Sequence, residues 1–98
     1  MEIIISDAAA QEIEDAALWY RAISLKLEDE LIREMDYCFE YIAYYPDGFK
    51  AIYKNVRGII LPKYPYTLYY RIVDEYIEVI SFFHHKRNPK IWKRRTKK

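Results

Sequence analysis

Two adjacent histidines and two cations end the last apolar run of the sequence, in the stretch Phe82–Trp92 (FFHHKRNPKIW). Histidine titrates near neutral pH, so it can act as a general acid or base, and a neighbouring cation can stabilise the charge that develops on a phosphate. This stretch therefore raises the question of whether the chain cleaves a phosphodiester. The candidates for that chemistry are His84, His85, Lys86, Arg87 and, in the preceding apolar run, Arg71.

Strand geometry argues against a shared histidine site. Adjacent residues of a strand point to opposite faces, so His84 and His85 cannot line one site if the strand continues through them. The nearest acid is Glu78, and we expect Arg71 to pair with it across a hairpin. The histidines and the distant Cys38 do not have the ligand spacing of a zinc site. The sequence therefore favours a structural or binding role for the segment, and it predicts neither a metal nor a cofactor.

Charge is divided unevenly between the two halves of the chain. Residues 1–45 carry 11 Asp/Glu and 3 Lys/Arg, whereas residues 46–98 carry 4 Asp/Glu and 13 Lys/Arg, for a net charge of +1. Residues 86–98 hold eight cations and no acid. Such a basic tail can face a polyanion or an acidic partner, and it can equally be a solvated end.

Length and composition limit the class of protein. A chain of 98 residues with 52% hydrophobic residues can build one core, so we expect one domain over residues 1–98. The single Cys38 makes no internal disulfide, and only 2 glycines argue against a phosphate-binding glycine loop. We find no signal-peptide pattern and no apolar run near the roughly 20 residues that cross a bilayer. These features predict a cytoplasmic protein that does not enter a membrane.

The elements that would position the histidines begin with a strand and two helices. Glu2–Ser6 is β-branched and predicts a strand, and apolar residues recur at helical spacing from Ala8 to about Ile23. A second helical pattern begins near Leu27 and ends before the turn signal Pro46–Gly48. No Gly or Pro separates the helical patterns, but their apolar faces fit an antiparallel hairpin better than one long helix.

The period then changes to that of strands. Arg57–Lys63, Tyr66–Val73 and Tyr76–His84 predict three strands of an antiparallel meander, and Pro89 suits the first turn of a helix that runs through Trp92. The sequence thus predicts an α+β fold: an N-terminal strand, an antiparallel helical hairpin, the three-stranded meander in a sheet of about four strands, and a short C-terminal helix.

The last two predicted strands are apolar on both faces, as in central strands that are covered on both sides. The helical hairpin can cover only one face, so the C-terminal segment or a partner chain must cover the other. We expect one face to carry Tyr66, Leu68, Tyr70, Ile72, Ile80 and Phe82, and the other to carry Tyr69, Val73, Val79 and Phe83.

The order of elements and six short motifs resemble the RelE/ParE superfamily of type II toxin–antitoxin toxins. The resemblance covers nearly the whole chain. The ending His84–Pro89 with Trp92 is similar to the H-x-R-x-P-x-x-W ending that is common in the ParE branch. The other matching stretches are Ala17–Tyr20, Leu27–Leu31, Tyr44–Pro46, Val56–Gly58 and Tyr64–Arg71.

This resemblance implies one of two activities. ParE-like members bind and poison DNA gyrase without being nucleases, whereas RelE-like members cut mRNA in the ribosome. Thr67 stands where RelE-type nucleases commonly carry a cation, and His85-Lys86 only partly matches the His-Tyr pair of other nucleases in the superfamily. The resemblance therefore favours a ParE-like gyrase inhibitor that is not an enzyme. The alternatives are a ribosome-dependent mRNA endonuclease and a member that has lost its toxicity.

The resemblance also implies binding surfaces for a target and for a cognate antitoxin, which would form a hetero-oligomer with the toxin and add a helix and a strand segment to it. The target, gyrase or alternatively the ribosome and its mRNA, would contact Arg87, Lys86, Trp92, Lys93 and Arg94. The antitoxin would contact Trp19, Tyr20, Tyr41, Tyr45, Tyr69 and Phe83. In a nuclease, the catalytic residues would be His84, His85, Arg87, Arg71 and Lys86.

Overall fold

The computed structural model describes residues 1–96, so Lys97 and Lys98 of the predicted basic tail lie outside the described residues. The elements in chain order are strand β1 (Glu2–Ile5), helix α1 (Asp7–Ile23), helix α2 (Leu25–Tyr44), strands β2 (Ala51–Tyr53), β3 (Val56–Ile60), β4 (Tyr66–Val73) and β5 (Tyr76–His84), helix α3 (Lys90–Lys93) and a 3-10 turn (Arg94–Thr96). The predicted α+β fold is confirmed.

The strands form one sheet in the order β1-β5-β4-β3-β2, in which β1 runs parallel to β5 and the other pairs are antiparallel. Strands β4 and β5 lie at the predicted residues. The sheet has five strands instead of about four, because the short strand β2 joins β3 through an irregular pairing. Three residues are too few to show the alternation that identifies a strand in a sequence.

A single extended residue, Ser24, separates the two helices. Its φ of −167° and ψ of 132° break the helical path, and its side chain accepts hydrogen bonds from the N–H groups of Lys26 and Leu27. Helix α2 therefore begins two residues before the predicted start. The end of α2 returns to the beginning of the chain, where the Met1 ammonium donates to the Ala43 carbonyl at 3.2 Å. The predicted hairpin thus needs neither Gly nor Pro.

The helical hairpin covers one face of the sheet. The residues that follow β5, 85–96, cover the other, and we call them the C-terminal segment. Ala9 and Ala16 of α1, and Leu31 and Ile42 of α2, pack in the first core with Leu68, Tyr70, Ile77, Val79 and Phe82 of the sheet. In the second core, Trp92 is 2% exposed and stacks on Tyr69 with ring centroids 4.0 Å apart, next to Val56, Ile80 and Phe83. The C-terminal segment thus provides the second cover.

The prediction of sheet faces was wrong at two residues of β5. Ile80 packs in the second core and Val79 in the first, the reverse of the expected arrangement. The pairing changes from Tyr69↔Ser81 to Tyr70↔Val79, which leaves Ile80 as an extra residue in β5. An extra residue of this kind reverses the alternation of side chains on one side of the irregularity.

Within residues 1–96, we find no helix whose length and apolar character would let it cross a membrane.

Candidate functional site

A groove of about 750 Å³ lies between α1 and the ends of β4 and β5, and we call it the α1 groove. It contains two of the residues that the sequence suggested for catalysis, His84 and Arg87, together with Glu12 of the helix. Aromatic side chains of helix and sheet complete it: Trp19, Tyr20, Tyr66 and Phe82.

The imidazole of His84 is held by its neighbours at the end of β5. Its Nδ1 accepts a hydrogen bond from the backbone N–H of Lys86 at 3.1 Å, and its ring meets the Tyr66 ring edge-on at 5.1 Å. Burial lowers the pKa of His84, and the electrostatic effects of His85, Lys86 and Arg87 lower it further. These effects favour the uncharged form of the imidazole.

The remaining catalytic candidates lie elsewhere. The Nε2 atom of His85 is 2.9 Å from the Thr67 hydroxyl, on the side of the sheet away from the α1 groove, as the alternation of the strand predicts. Arg71 donates to Glu78 at 2.7 Å, which confirms the predicted pair across the hairpin. Arg71 is four residues from Thr67, which is about 13 Å along a strand. The fold thus separates both residues from His84.

Glu12, which was not among the residues predicted from the sequence, organises the polar part of the α1 groove. Its carboxylate accepts hydrogen bonds from Ser81 Oγ at 2.9 Å, Phe82 N at 3.2 Å, Arg87 at 2.6 Å and Arg95 at 2.9 Å. Burial alone would raise the pKa of Glu12, but the hydrogen bonds from Arg95, Ser81 and Arg87 and the charge of Arg95 hold it below its usual value. The charge of Arg87 is thus already paired.

The same contacts close the outer edge of β5 beyond the end of β1. Ser6 donates its N–H to the Val79 carbonyl at 3.1 Å and its hydroxyl to the Ile80 carbonyl at 3.3 Å. Arg95 also donates to the Ile80 carbonyl at 3.2 Å, and Glu12 accepts from Phe82 N. These backbone groups are occupied, so this stretch of β5 cannot accept another strand.

Among residues 1–96, no group of three His, Cys, Asp or Glu side chains could hold a metal ion. Of the five catalytic candidates, His84 and Arg87 line one groove, whereas His85 and Arg71 have partners outside it. The backbone N–H of Lys86 donates a hydrogen bond to His84, and Lys86 is exposed. Of the five candidates, the fold therefore brings together one imidazole and one paired cation, and the second cation of the groove, Arg95, is also paired with Glu12.

A second groove, of about 820 Å³, lies between α2 and the free side of β3, and we call it the α2 groove. Its lining is apolar apart from Arg33, Glu34 and Lys63, and it includes Tyr37, Cys38 and Tyr41 of α2, Phe49 of the following loop, and Gly58, Ile59 and Ile60 of β3. Burial and the nearby Glu34 carboxylate raise the pKa of Cys38 to about 11, so the thiol is protonated and unreactive.

The edge of β3 is open where it borders the α2 groove. Strand β2 pairs only with Val56 and Arg57. Leu61 donates its N–H towards β4, to the Tyr66 carbonyl at 3.0 Å, and alternate residues of an antiparallel strand bond to opposite sides. The N–H and C=O groups of Ile60 therefore point away from β4. The Ile60 side chain is 68% exposed, so this edge offers both backbone and apolar contacts.

The aromatic residues that we expected to contact an antitoxin fall into three places. Tyr41 lines the α2 groove, and its ring lies 5.3 Å from that of Tyr45, tilted by 46°, whereas Trp19 and Tyr20 line the α1 groove. Tyr69 and Phe83 pack in the second core under the C-terminal segment, where a partner would reach them only after displacing Trp92.

The basic residues expected to contact a target are also in different environments. Arg94 and Lys86 are exposed, and the ammonium of Lys93 lies 5.0 Å from the centre of the Tyr53 ring. Arg87 pairs with Glu12, and Trp92 is buried, so Trp92 anchors the segment and does not present a contact surface.

Three comparisons with known proteins bear on this fold. A family model described as the ParE toxin of type II toxin-antitoxin system, parDE, matches residues 3–89. A solved chain described as "Chromosomal ParDE TA system from P. aeruginosa" has a TM-score of 0.67 and 15% sequence identity, and the match covers 86% of this chain and 95% of that chain. No curated protein sequence matches.

Proposed function

The chain belongs to the ParE toxin family of type II toxin–antitoxin systems, and we propose that it inhibits DNA gyrase by binding and that a cognate antitoxin neutralises it. The observation that carries this proposal is the family match over residues 3–89, which includes the ending His84–Pro89. The proposal places both events in the cytoplasm and requires protein–protein surfaces but no cofactor.

The arrangement at the end of β5 supports inhibition by binding over RNA cleavage. Cleavage at a 2′-hydroxyl needs a base, an acid and a cation around one phosphate. His84 and Arg87 share the α1 groove, but Arg87 is paired with Glu12, whose carboxylate also pairs with Arg95. His85 and Arg71 have partners at other places, and the second cation of the groove, Arg95, is also paired with Glu12.

The exposed cations of the C-terminal segment are the proposed contact with gyrase. Lys86, Lys90 and Arg94 are exposed, whereas Trp92 is buried and packs the segment against the sheet. A rigid display of positive charge favours association with an acidic protein surface or with DNA held by its enzyme. Trp92 and Arg87 would then contribute by positioning the segment.

The α2 groove is the proposed docking place for the antitoxin. It combines an apolar lining with the open backbone edge of β3, and these are the features that accept an amphipathic segment and an added strand. The β5 edge is closed by Ser6, Glu12 and Arg95 and cannot serve in this way.

A supercoiling assay tests the proposed target. Purified toxin is added to gyrase, ATP and relaxed plasmid, and we expect loss of supercoiling or an accumulation of cleaved plasmid, which the co-purified antitoxin reverses. Normal supercoiling at a stoichiometric excess of toxin would contradict the gyrase proposal.

A parallel assay tests the nuclease alternative. Primer extension on a translated message would show cuts in the ribosomal A site if the toxin is an mRNA endonuclease, and His84→Ala together with Arg87→Ala would then remove them. We expect no such cuts.

A further inference from the structure

Four tyrosines and one glutamate surround a shallow cavity of about 190 Å³ at the end of α2. The residues, which we call the tyrosine cage, are Tyr37, Glu40, Tyr41, Tyr44 and Tyr45. Tyr37 is 73% exposed and Tyr44 is 82% exposed, which is unusual for large aromatic side chains in a chain that buries so many others. Neither the predicted target surface nor the polar α1 groove accounts for them.

Helical spacing and the end of the helix bring these rings together. Tyr37, Tyr41 and Tyr44 are related by four and three residues and therefore share one face of α2. Tyr45, the C-cap residue, donates its N–H to the Tyr41 carbonyl at 2.8 Å. Its ring lies 5.3 Å from that of Tyr41 and 6.3 Å from that of Tyr44.

The cage is built on a fixed turn. The Tyr70 hydroxyl donates to the Pro46 carbonyl at 2.9 Å, and the Arg57 guanidinium donates to the carbonyls of Asp47 and Phe49. At Gly48, an added Cβ would lie 3.1 Å from the Tyr45 carbonyl, so the absence of a side chain lets this turn pack closely below the rings. The backbone below the rings is therefore held in place before a ligand enters.

The electrostatics of the cage favour a cation. The face of an aromatic ring carries negative potential, and Glu40 adds a carboxylate to the cavity. Asp36 and Asp47 are further acids nearby in the sequence, whereas the guanidinium of Arg57 is engaged with backbone carbonyls. The cation–π contacts within residues 1–96 involve Tyr53, Phe83 and Trp92, so no described Lys or Arg covers a ring of the cage.

The cage and the α2 groove are continuous, because Tyr37 and Tyr41 line both. We propose that the tyrosine cage binds an arginine or lysine side chain of the antitoxin segment whose apolar residues fill the α2 groove. This inference rests on the proposed function for the identity of the partner. The cage gives the antitoxin a charge requirement that the apolar groove by itself does not impose.

The first test uses a small probe and its uncharged isostere. ¹⁵N-labelled toxin is titrated with N-acetyl-arginine amide and, in parallel, with N-acetyl-citrulline amide, which has nearly the same shape but no charge. We expect saturable shifts of the amides around Tyr44 and Tyr45 with the arginine probe, and binding weaker by about fivefold or more with citrulline. Equal binding of both probes, or binding of neither, would overturn the proposal.

Two variants of Tyr44 test whether binding needs the aromatic ring or only an apolar side chain at this position. Tyr44→Phe keeps the aromatic face and should retain the arginine shifts, whereas Tyr44→Leu keeps an apolar side chain and should lose them. Because Tyr44 is highly exposed, both variants should have wild-type melting temperatures. Equal probe binding by the two variants would contradict a cation–π role.

The second test uses the co-expressed antitoxin. We expect Tyr44→Leu and Glu40→Gln to weaken its binding by about fivefold or more and Tyr44→Phe to leave it unchanged. An antitoxin that binds wild type and Tyr44→Leu equally would overturn the cage proposal and leave the toxin–antitoxin proposal intact. If the arginine probe binds but no antitoxin does, the cage stands and the proposed partner is wrong.

Discussion

The two grooves beside the helical hairpin are similar in size, about 750 and 820 Å³. They differ in whether their polar groups have hydrogen-bond partners within the chain. In the α1 groove, the Glu12 carboxylate accepts four donors and the β5 edge is occupied. In the α2 groove, Ile60 presents an open strand edge, and its side chain is 68% exposed, close to the 67% of Trp19 in the α1 groove. The polar groups of the α1 groove are paired within the chain, whereas the edge of β3 at the α2 groove is open.

Reactive residue types therefore do not identify the surface whose polar groups lack partners within the chain. His84 and Arg87 drew attention because of their chemistry, yet their groove is stabilised by an internal ion pair. Tyrosine and isoleucine carry no such signal, yet the groove that they line exposes the surface whose burial would favour association.

The largest effect on stability is expected from a substitution that removes the polar contacts of the α1 groove. Glu12→Ala removes the acceptor of Ser81, Phe82, Arg87 and Arg95, and leaves partly buried donors unpaired. We expect the free energy of unfolding, measured in urea, to fall by about 2–4 kcal/mol. Glu14→Ala on the exposed side of α1 is the matched control and should change it by less than about 0.5 kcal/mol. Equal effects would show that Glu12 does not close the groove.

The next prediction compares the grooves as binding surfaces. Ile60→Glu places a charge on the apolar edge of the α2 groove, and we expect antitoxin affinity to fall by about thirtyfold or more while the fold remains stable. Trp19→Ala makes the corresponding change in the α1 groove. Isothermal titration with the antitoxin measures both. A comparable loss with Trp19→Ala would show that the antitoxin uses both grooves and would support the sequence-based expectation for Trp19 and Tyr20.

A smaller effect on the free energy of unfolding is expected when the pH is lowered. The folded pKa of Glu12 is below its ordinary value of 4.5, so its ionised form contributes stability above that value. This contribution is lost as the pH falls from about 4.5 through the folded pKa. Glu12→Gln should therefore be less stable than wild type at pH 7 and should approach it in acid. A stability difference that is independent of pH below neutrality would contradict the ionised pair.

The smallest effect should come from the histidines. Because neither histidine has the partners of a general acid or base, we expect His84→Ala and His85→Ala to keep growth arrest in cells that lack the antitoxin. The optical density of induced cultures measures the arrest, and protein level is the control. If His85→Ala folds normally but no longer arrests growth, the nuclease alternative gains over gyrase inhibition.

Strong local patterns made most of the fold predictable. Strands β4 and β5 lie at their predicted residues because their apolar runs are long and bounded by turn signals. Strand β2 was missed because it has only three residues, and Ile80 was placed on the wrong face because an irregular pairing is not visible in alternation. Glu12 had a signal that was overlooked, since it occupies the same helical face as the buried Ala9 and Ala16.

The sequence alone predicted the helices, the strands other than β2, the order of these elements, the opposite orientation of His84 and His85, and the family, because each follows from residues that are near in the chain. Only the tertiary structure decided which charges are free and which strand edge is open. Glu12 and Arg95 are 83 residues apart and meet only when α1 and the C-terminal segment pack against β5. Pairing of distant charges depends on three-dimensional packing, and no local period in a sequence records it.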